Sequence, residues 1–216
     1  MTAPLTRRSI LAAGIGLSAI ALTGCASIGN YAYEDAVRRL LLVSSQRAFA
    51  RLLREDGFFA DELTRIALPP ALAAAAEGGL LRIVNRAAGA AAERTAPIVT
   101  EAIQGLTIVD AAAVIQGGPT AATEVLKREL GEGLFTALLS GVGDALRLAD
   151  SDLVSRALAA ATGVNLEGLR LDVARQASDA IYRAIGREEA AIRADPRLVG
   201  DMFLRAALTE QDLRRR

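Results

Sequence analysis

The sequence lacks histidine altogether, has no tryptophan and contains a single cysteine among its 216 residues. Without histidine, the commonest general base and metal ligand is missing, which excludes catalysis by serine–histidine–aspartate or cysteine–histidine groups. No glycine-rich loop has the spacing of a phosphate-binding motif. We therefore expect no metal site and no cofactor, and any enzymatic chemistry would rest on carboxylates and arginines.

Aromatic residues are also scarce, at 4% of the chain, whereas 52% of the residues are apolar. This composition favours close-packed helices over a sheet, which would need more β-branched and aromatic side chains. Basic and acidic residues balance at 25 each. A chain without a basic excess offers no concentrated positive patch for phosphates, so we expect no nucleic-acid partner.

The N-terminal segment has the order of residues that is typical of an export signal. Arg7 and Arg8 precede an apolar run over 10–22, which ends in small residues. A transmembrane helix, the alternative, would need about 20 strongly apolar residues, and glycines interrupt this run. We predict that residues 1–24 are a cleaved signal peptide. The stretch "TRRSIL" also resembles the twin-arginine export signal, and both this route and the general secretory route stay open.

The stretch "LTGC", ending at Cys25, resembles the lipobox of bacterial lipoproteins, in which the cysteine is lipidated and becomes the first residue of the mature chain. The resemblance implies a membrane anchor through lipid on Cys25. Lipidation would also account for an odd cysteine in an oxidising compartment, the alternative being a small buried or unmodified cysteine. Ala26 resembles the pattern of lipoproteins destined for the outer membrane. We therefore expect an exported protein on the periplasmic side of that membrane.

The remaining residues predict a single all-α domain. Residues 25–33 are small and uncharged, and they predict a short tether between the lipid and a compact multi-helix domain over 34–216. No segment alternates with the period of a strand over a strand's length. The first helix of the domain is predicted to begin at Glu34.

Two long amphipathic helices are the clearest elements. Apolar residues at steps of three and four run from Leu80 to Leu106, and Pro97 within this stretch predicts a kink or a break. The second helix covers about Leu169–Ala194, and its inner seam includes Leu171 and Glu188. Both helices therefore have one face suited to a core.

Shorter elements are marked by turn and cap residues. The stretch "FFADELTRIALPP" predicts a short helix that the proline pair 69–70 stops. The stretch "TIVD" has the spacing of a capping box with Thr107 at the N-cap and Asp110 reaching back, and its helix should end at the glycine pair 117–118. The next helix is predicted from Pro119 through about Leu130, and the stretch beyond it continues in helical rhythm although glycines dilute it.

Five blocks of the sequence resemble, in order and spacing, the bacterial Domain of Unknown Function 4197 family. They are "DGFF" (56–59), "IALP" (66–69), the stretch from "VNRAAG" to "VIQGG" (84–118), "AATEVLKREL" (121–130) and "REEAAIRADP" (187–196). The resemblance implies an exported, mostly helical protein, and the family carries no established activity.

Four polar residues at or beside the apolar seams are candidates for a functional site. Asn85 and Arg86 lie in the first long helix, and Glu188 and Glu189 lie in the last. A buried glutamate facing an arginine or asparagine could transfer protons or bind a ligand, because burial shifts its pKa. The alternative is a polar clasp that joins two helices.

Two functions remain open from the sequence. The first is a lipid-tethered helical binding or scaffold protein of the cell envelope, whose partner would be an envelope protein or an apolar ligand in a helix-lined groove. The second is a carboxylate-dependent hydrolase of envelope polymers, which requires two acidic side chains about 5 to 10 Å apart in an open cleft. Glu188 and Glu189 are the candidates for that pair.

Overall fold

A computed structural model describes residues 21–75, 79–148, 151–161 and 163–214 of the chain. All regular structure among these residues is helical, so the predicted all-α class is confirmed. The helices are α1 (Ala21–Leu52), α2 (Gly57–Ala60), α3 (Pro70–Ala75), α4 (Gly79–Gly105), α5 (Ala111–Gln116), α6 (Ala121–Leu148), α7 (Ser151–Ala160), α8 (Leu166–Ala194) and α9 (Met202–Arg214), with a 3₁₀ turn at Pro196–Leu198.

Four long helices build the core. Helix α6 packs against α4 and α8, and α1 packs against the same two helices, so that the four form a closed ring of neighbours. Apolar side chains from all four helices are fully buried, among them Leu40, Ile103, Leu138 and Ile181. Each side chain of this size contributes about 1.5–3 kcal/mol by leaving water. The shorter α5 and α9 both pack against α1.

Helices α4 and α6 approach each other closely, because small residues face each other where they meet. A Cβ atom added at Gly141 of α6 would lie 2.9 Å from the Cβ of Ala91 in α4, closer than real Cβ atoms come. Ala91 is itself fully buried. The crossing therefore requires glycine, and small residues give the core its density with few aromatic side chains.

Two glycine substitutions in α6 are expected to change stability in opposite directions. Gly131→Ala meets no neighbouring atom within 4 Å, so the higher helix propensity of alanine raises the free energy of unfolding by roughly 0.5–1 kcal/mol. Gly141→Ala has the same propensity gain, but overpacking of about 1–3 kcal/mol outweighs it. Urea denaturation beside the parent chain measures both variants. Shifts of the same sign and size would contradict the close crossing.

Helix α4 continues through Pro97, which excludes the break of the two predicted alternatives, a kink or a break. Proline has no N–H to donate to the carbonyl of Glu93, four residues earlier. Both residues are exposed, and water can serve that carbonyl. Val99 and Ile103, beyond the proline, are fully buried, so packing against the core holds the helix on both sides of it.

The segment before α4 and the length of α6 also differ from the prediction. No single helix ends at the proline pair. Instead α2 is followed by a turn and a stretch without regular structure, and α3 begins at Pro70. Proline suits the first helical position, because the backbone N–H there has no partner within the helix. Helix α6 runs on to Leu148, past the predicted end at Leu130. In the second half of α6, Gly141 lies against Ala91 of α4 and Gly143 against Arg170 of α8, so packing there offsets the low helix propensity of glycine.

Two further details correct the sequence prediction. Helix α5 is capped by Asp110 and not by Thr107, since the Asp110 carboxylate accepts from the backbone amide of Ala113 at 2.9 Å. In α8 the predicted seam is buried at most positions, but Leu171 is 36% exposed. The neighbouring Leu169 faces the core in its place and is fully buried.

Helix α1 begins at Ala21, so the predicted tether, residues 25–33, is helical in the structure. Residues 1–20 of the predicted signal peptide lie outside the described residues. Removal of residues 1–24 and attachment of lipid to Cys25 therefore stay predictions. Among the α1 side chains that the structure describes, from residue 32 onward, the first in the core is Ala36, and from there the helix is packed against the bundle.

Candidate functional site

Glu189 of α8 binds the first turn of α6. Its carboxylate accepts hydrogen bonds from the backbone amides of Ala122 at 2.9 Å and Thr123 at 2.8 Å, and from the Thr123 hydroxyl at 2.6 Å. The Glu189 side chain is fully buried. The first amides of a helix have no acceptor within it and lie at the positive end of its dipole, so a carboxylate satisfies both requirements.

Arg193, one turn further along α8, extends this contact to the end of α5. Its Nε donates to the Glu189 carboxylate at 2.8 Å, and its terminal nitrogens donate to the carbonyls of Ile115 at 2.7 Å and Val114 at 3.0 Å. Carbonyls in the last turn of a helix lack partners within it. Glu189 and Arg193, which we name the α8 clasp, thus hold the two helix ends on either side of the glycine pair 117–118.

The adjacent Glu188 binds a different element. Its carboxylate lies 3.1 Å from Nε of Arg51 near the end of α1. The Glu188 side chain is 5% exposed, whereas that of Arg51 is 55% exposed. The two glutamates are therefore buried and engaged with separate partners, and they do not form the open pair that hydrolysis requires.

Asn85 of α4 and Gln176 of α8 bind the segment without regular structure that precedes α3. The Asn85 side chain accepts from the amide of Ile66 at 2.9 Å and donates to its carbonyl at 3.0 Å. Gln176 makes the same pair of bonds with Ala67, at 2.8 and 3.0 Å. Asn85 is 2% exposed, whereas the bonds of Gln176 are open to solvent. Two side-chain amides thus satisfy backbone groups that have no sheet or helix to pair with.

Arg86, beside Asn85, holds the turn between α1 and α2. The Asp56 carboxylate accepts from Arg86 at 3.0 Å and from Arg82 at 2.9 Å. Asp56 has φ of 53° and is the one described residue other than glycine with a positive φ. Aspartate tolerates this left-handed conformation better than most residues. A cavity of about 320 Å³ lies between this turn and α4, and Asn85 and Arg86 both line it.

The four predicted site residues therefore lie in two separate regions. Asn85 and Arg86 hold the segment from Asp56 to Ile66, while Glu188 and Glu189 hold α1 and α6. Among the described residues no hydrogen bond or ion pair joins the first pair to the second. Each residue joins two elements of the fold, as the alternative interpretation of a polar clasp predicts.

A second cavity, of about 380 Å³, opens between the start of α6 and α8. Lys127 and Asp179 lie at its rim, 3.5 Å apart and each about half exposed. Tyr182 also lines the cavity and is only 5% exposed, and its hydroxyl has no hydrogen-bond partner in the described part of the chain. Burial raises the pKa of Tyr182 to about 12, so the phenol is neutral at neutral pH. We name this space the α6–α8 cavity.

Two arginines of α8 complete the lining of this cavity. Nε of Arg183 donates to the carbonyl of Leu63 at 2.9 Å. Arg187 donates to the carboxylate of Asp61 at 2.5 Å, and its buried Nε has no partner among the described residues. Burial by itself would raise the pKa of Asp61, but the hydrogen bonds from Arg187 and from the Leu63 amide outweigh it, and this pKa lies below its ordinary value. The cavity therefore holds polar groups that the fold leaves unused.

The described residues contain no group of three or more cysteine, histidine, aspartate or glutamate side chains able to hold a metal ion.

A family model described as a protein of unknown function, DUF4197, matches residues 27–208. The chain belongs to the DUF4197 family. No curated protein and no solved structure matches it. The α8 clasp, the Asn85 contacts and the α6–α8 cavity all lie inside the part of this DUF4197 protein that the family model covers. In the described part of the chain, no helix has both the length and the apolar character needed to cross a membrane.

In this DUF4197 protein, polar contacts connect the sequence blocks that carry the family resemblance. Asp56 of "DGFF" and Ile66 of "IALP" bind Arg86 and Asn85 in the third block. The fourth block begins with the α6 amides that donate to the Glu189 carboxylate of the fifth block. The blocks therefore mark places where one helix holds the backbone or turn of another element.

Sequence reasoning missed the partners of the candidate residues and the α6–α8 cavity. The spacing of Glu189 and Arg193 does predict an ion pair, although an exposed one. Thr123 and Tyr182 carried no signal, because a threonine near a helix start and a tyrosine on a core seam are ordinary features. Their roles depend on which helices meet in space.

Proposed function

We propose that this DUF4197 protein is a lipoprotein of the cell envelope whose helical domain binds a partner or ligand and catalyses no reaction. Lipid on Cys25 would hold the domain to the periplasmic side of the outer membrane after export and removal of residues 1–24. The order of the arginine pair, the apolar run and "LTGC" supports this address. One helix, α1, contains Cys25 and continues into the core.

The observation that supports binding is the α6–α8 cavity. Its volume falls in the range of small-molecule sites, and its lining includes the unpartnered Tyr182 hydroxyl. The carboxylates suggested for hydrolysis, by contrast, are engaged: Glu188 binds Arg51, and Glu189 belongs to the α8 clasp. The geometry therefore favours a binding module over a carboxylate-dependent hydrolase.

Replacing Cys25 by alanine is expected to remove the lipid and to release the protein from the outer-membrane fraction. The unsubstituted protein should begin at Cys25 and carry the mass of several acyl chains, because one chain gives only marginal anchoring. Cell fractionation and mass spectrometry of the intact protein measure both properties. Ser27→Ala, two residues away, is the control and should leave processing unchanged. Finding residues 1–24 on the mature unsubstituted protein would contradict the proposed cleavage and the lipid anchor at Cys25.

A photoreactive residue in place of Asp179 at the cavity rim tests the binding role in cells. The matched control carries it in place of the exposed Glu101 on α4, away from the cavity. An adduct found at position 179 and absent at 101 supports a bound partner or ligand. Identical adducts at both positions would contradict binding at the cavity.

A further inference from the structure

The charge of the α6–α8 cavity indicates what kind of ligand it would take. Lys127, Arg183 and Arg187 line it, against the two acidic residues Glu124 and Asp179. The pair between Lys127 and Asp179 is weak, because both groups are about half exposed and lie 3.5 Å apart. Arg187 is already paired with Asp61, so an anion entering the cavity would meet Arg183, which no described carboxylate pairs, and would compete with Asp179 for Lys127.

Arg183 is positioned to receive such an anion. Its Nε is held by the carbonyl of Leu63, which orients the guanidinium. Among the described residues its terminal nitrogens have no hydrogen-bond partner, and the side chain is exposed. Two parallel N–H groups in a fixed plane match the oxygens of a carboxylate or a phosphate.

Two buried polar atoms give an independent indication. The Tyr182 hydroxyl and Nε of Arg187 both belong to lining residues, and neither has a partner in the described part of the chain. Buried polar atoms of native proteins nearly always have a partner. These two have almost no accessible surface, so an anion in the cavity would reach them after a small shift of the Tyr182 and Arg187 side chains. Both atoms can donate a hydrogen, which an oxyanion accepts.

We propose that the α6–α8 cavity binds the oxyanion head of a small amphiphile, a carboxylate or phosphate held by Arg183 and Lys127, with its apolar part along Leu63 and Ala190. This inference rests on the proposed binding function and names the ligand class for it. A free inorganic anion shares the head-group chemistry but lacks the apolar part, so the two sources can be told apart by experiment.

The test uses the full chain carrying Cys25→Ser, which has no lipid attachment point. Isothermal titration compares octyl phosphate, below its micelle concentration, with inorganic phosphate and with octanol. We expect octyl phosphate to bind at least tenfold more tightly than either, since each probe lacks one half of the recognised group. If inorganic phosphate bound more tightly than octyl phosphate, the cavity would be a site for a free anion and the proposed amphiphile ligand would be wrong. Octanol binding as tightly as octyl phosphate would overturn the anion site.

Variants of α8 locate the binding. Arg183→Gln is expected to lower the affinity for octyl phosphate by about tenfold or more. Arg175 is an exposed arginine of the same helix outside the cavity, and Arg175→Gln should leave this affinity unchanged. Tyr182→Phe should lower the affinity for octyl phosphate. It should not lower the stability of the protein without ligand, because the hydroxyl that it removes has no partner among the described residues. Unchanged affinity in Arg183→Gln overturns the proposal. Failure of this titration leaves the Cys25 fractionation result intact, so the site and the lipid anchor are judged separately.

Discussion

Replacing Glu189 by alanine is expected to lower the free energy of unfolding by about 3–5 kcal/mol, the range found when one partner of a buried ion pair is removed. The variant takes the acceptor from the amides of Ala122 and Thr123 at the start of α6. It also leaves Arg193 without its carboxylate where only 11% of the arginine side chain is exposed. Urea denaturation of variant and parent measures the loss.

Two variants separate the α8 clasp from the general cost of a substitution. Glu189→Gln keeps the shape and one acceptor oxygen, but its amide group meets the donors of Arg193 and Thr123, so we expect an intermediate loss of about 2 kcal/mol. Glu101→Ala, on the exposed side of α4, should stay within about 0.5 kcal/mol of the parent. If Glu189→Ala cost no more than Glu101→Ala, the clasp would not be holding α5 and α6.

The long helices could be predicted because the buried face of a helix places apolar residues three and four positions apart, a pattern visible within a single stretch of sequence. The predicted stretches Leu80–Leu106 and Leu169–Ala194 lie within a few residues of α4 and α8. The sequence leaves the helix boundaries open at Pro97 and in the glycine-containing part of α6, where local propensity argues against a helix. Packing against a neighbouring helix outweighs that propensity, and the neighbour is absent from any single stretch of sequence.

For the candidate site, the sequence could predict which side chains are buried but not which groups they bind. Asn85, Glu188 and Glu189 are all buried, as polar residues on apolar seams should be. Their partners lie elsewhere in the chain: Ile66 is 19 residues from Asn85, and Thr123 is 66 residues from Glu189. Most of these partners are backbone amides and carbonyls, which every residue has and which no pattern marks. Only the arrangement of the helices selects them.

Replacing Asn85 by alanine is expected to lower the free energy of unfolding by about 2–4 kcal/mol, the second large effect. The substitution leaves the amide and the carbonyl of Ile66 buried without partners, and each such group costs about 1–3 kcal/mol. Gln176→Ala removes the same pair of bonds from Ala67, one residue along, where solvent can replace them. The control should therefore lose about 1 kcal/mol or less. Equal losses at the two positions would show that burial does not decide the cost.

A pH series on Asn85→Asp tests the same contact by its chemistry. The new carboxyl keeps an acceptor for the Ile66 amide but, when ionised, faces the carbonyls of Ile66 and Leu81 with no hydrogen to donate. Burial and these oxygens raise its folded pKa above the unfolded value of about 3.9. Between the two values the folded state binds more protons, so the stability of this variant falls as pH rises, relative to the parent. The loss is complete above the folded pKa. Parallel pH profiles for variant and parent would mean that the side chain at position 85 does not face the Ile66 backbone.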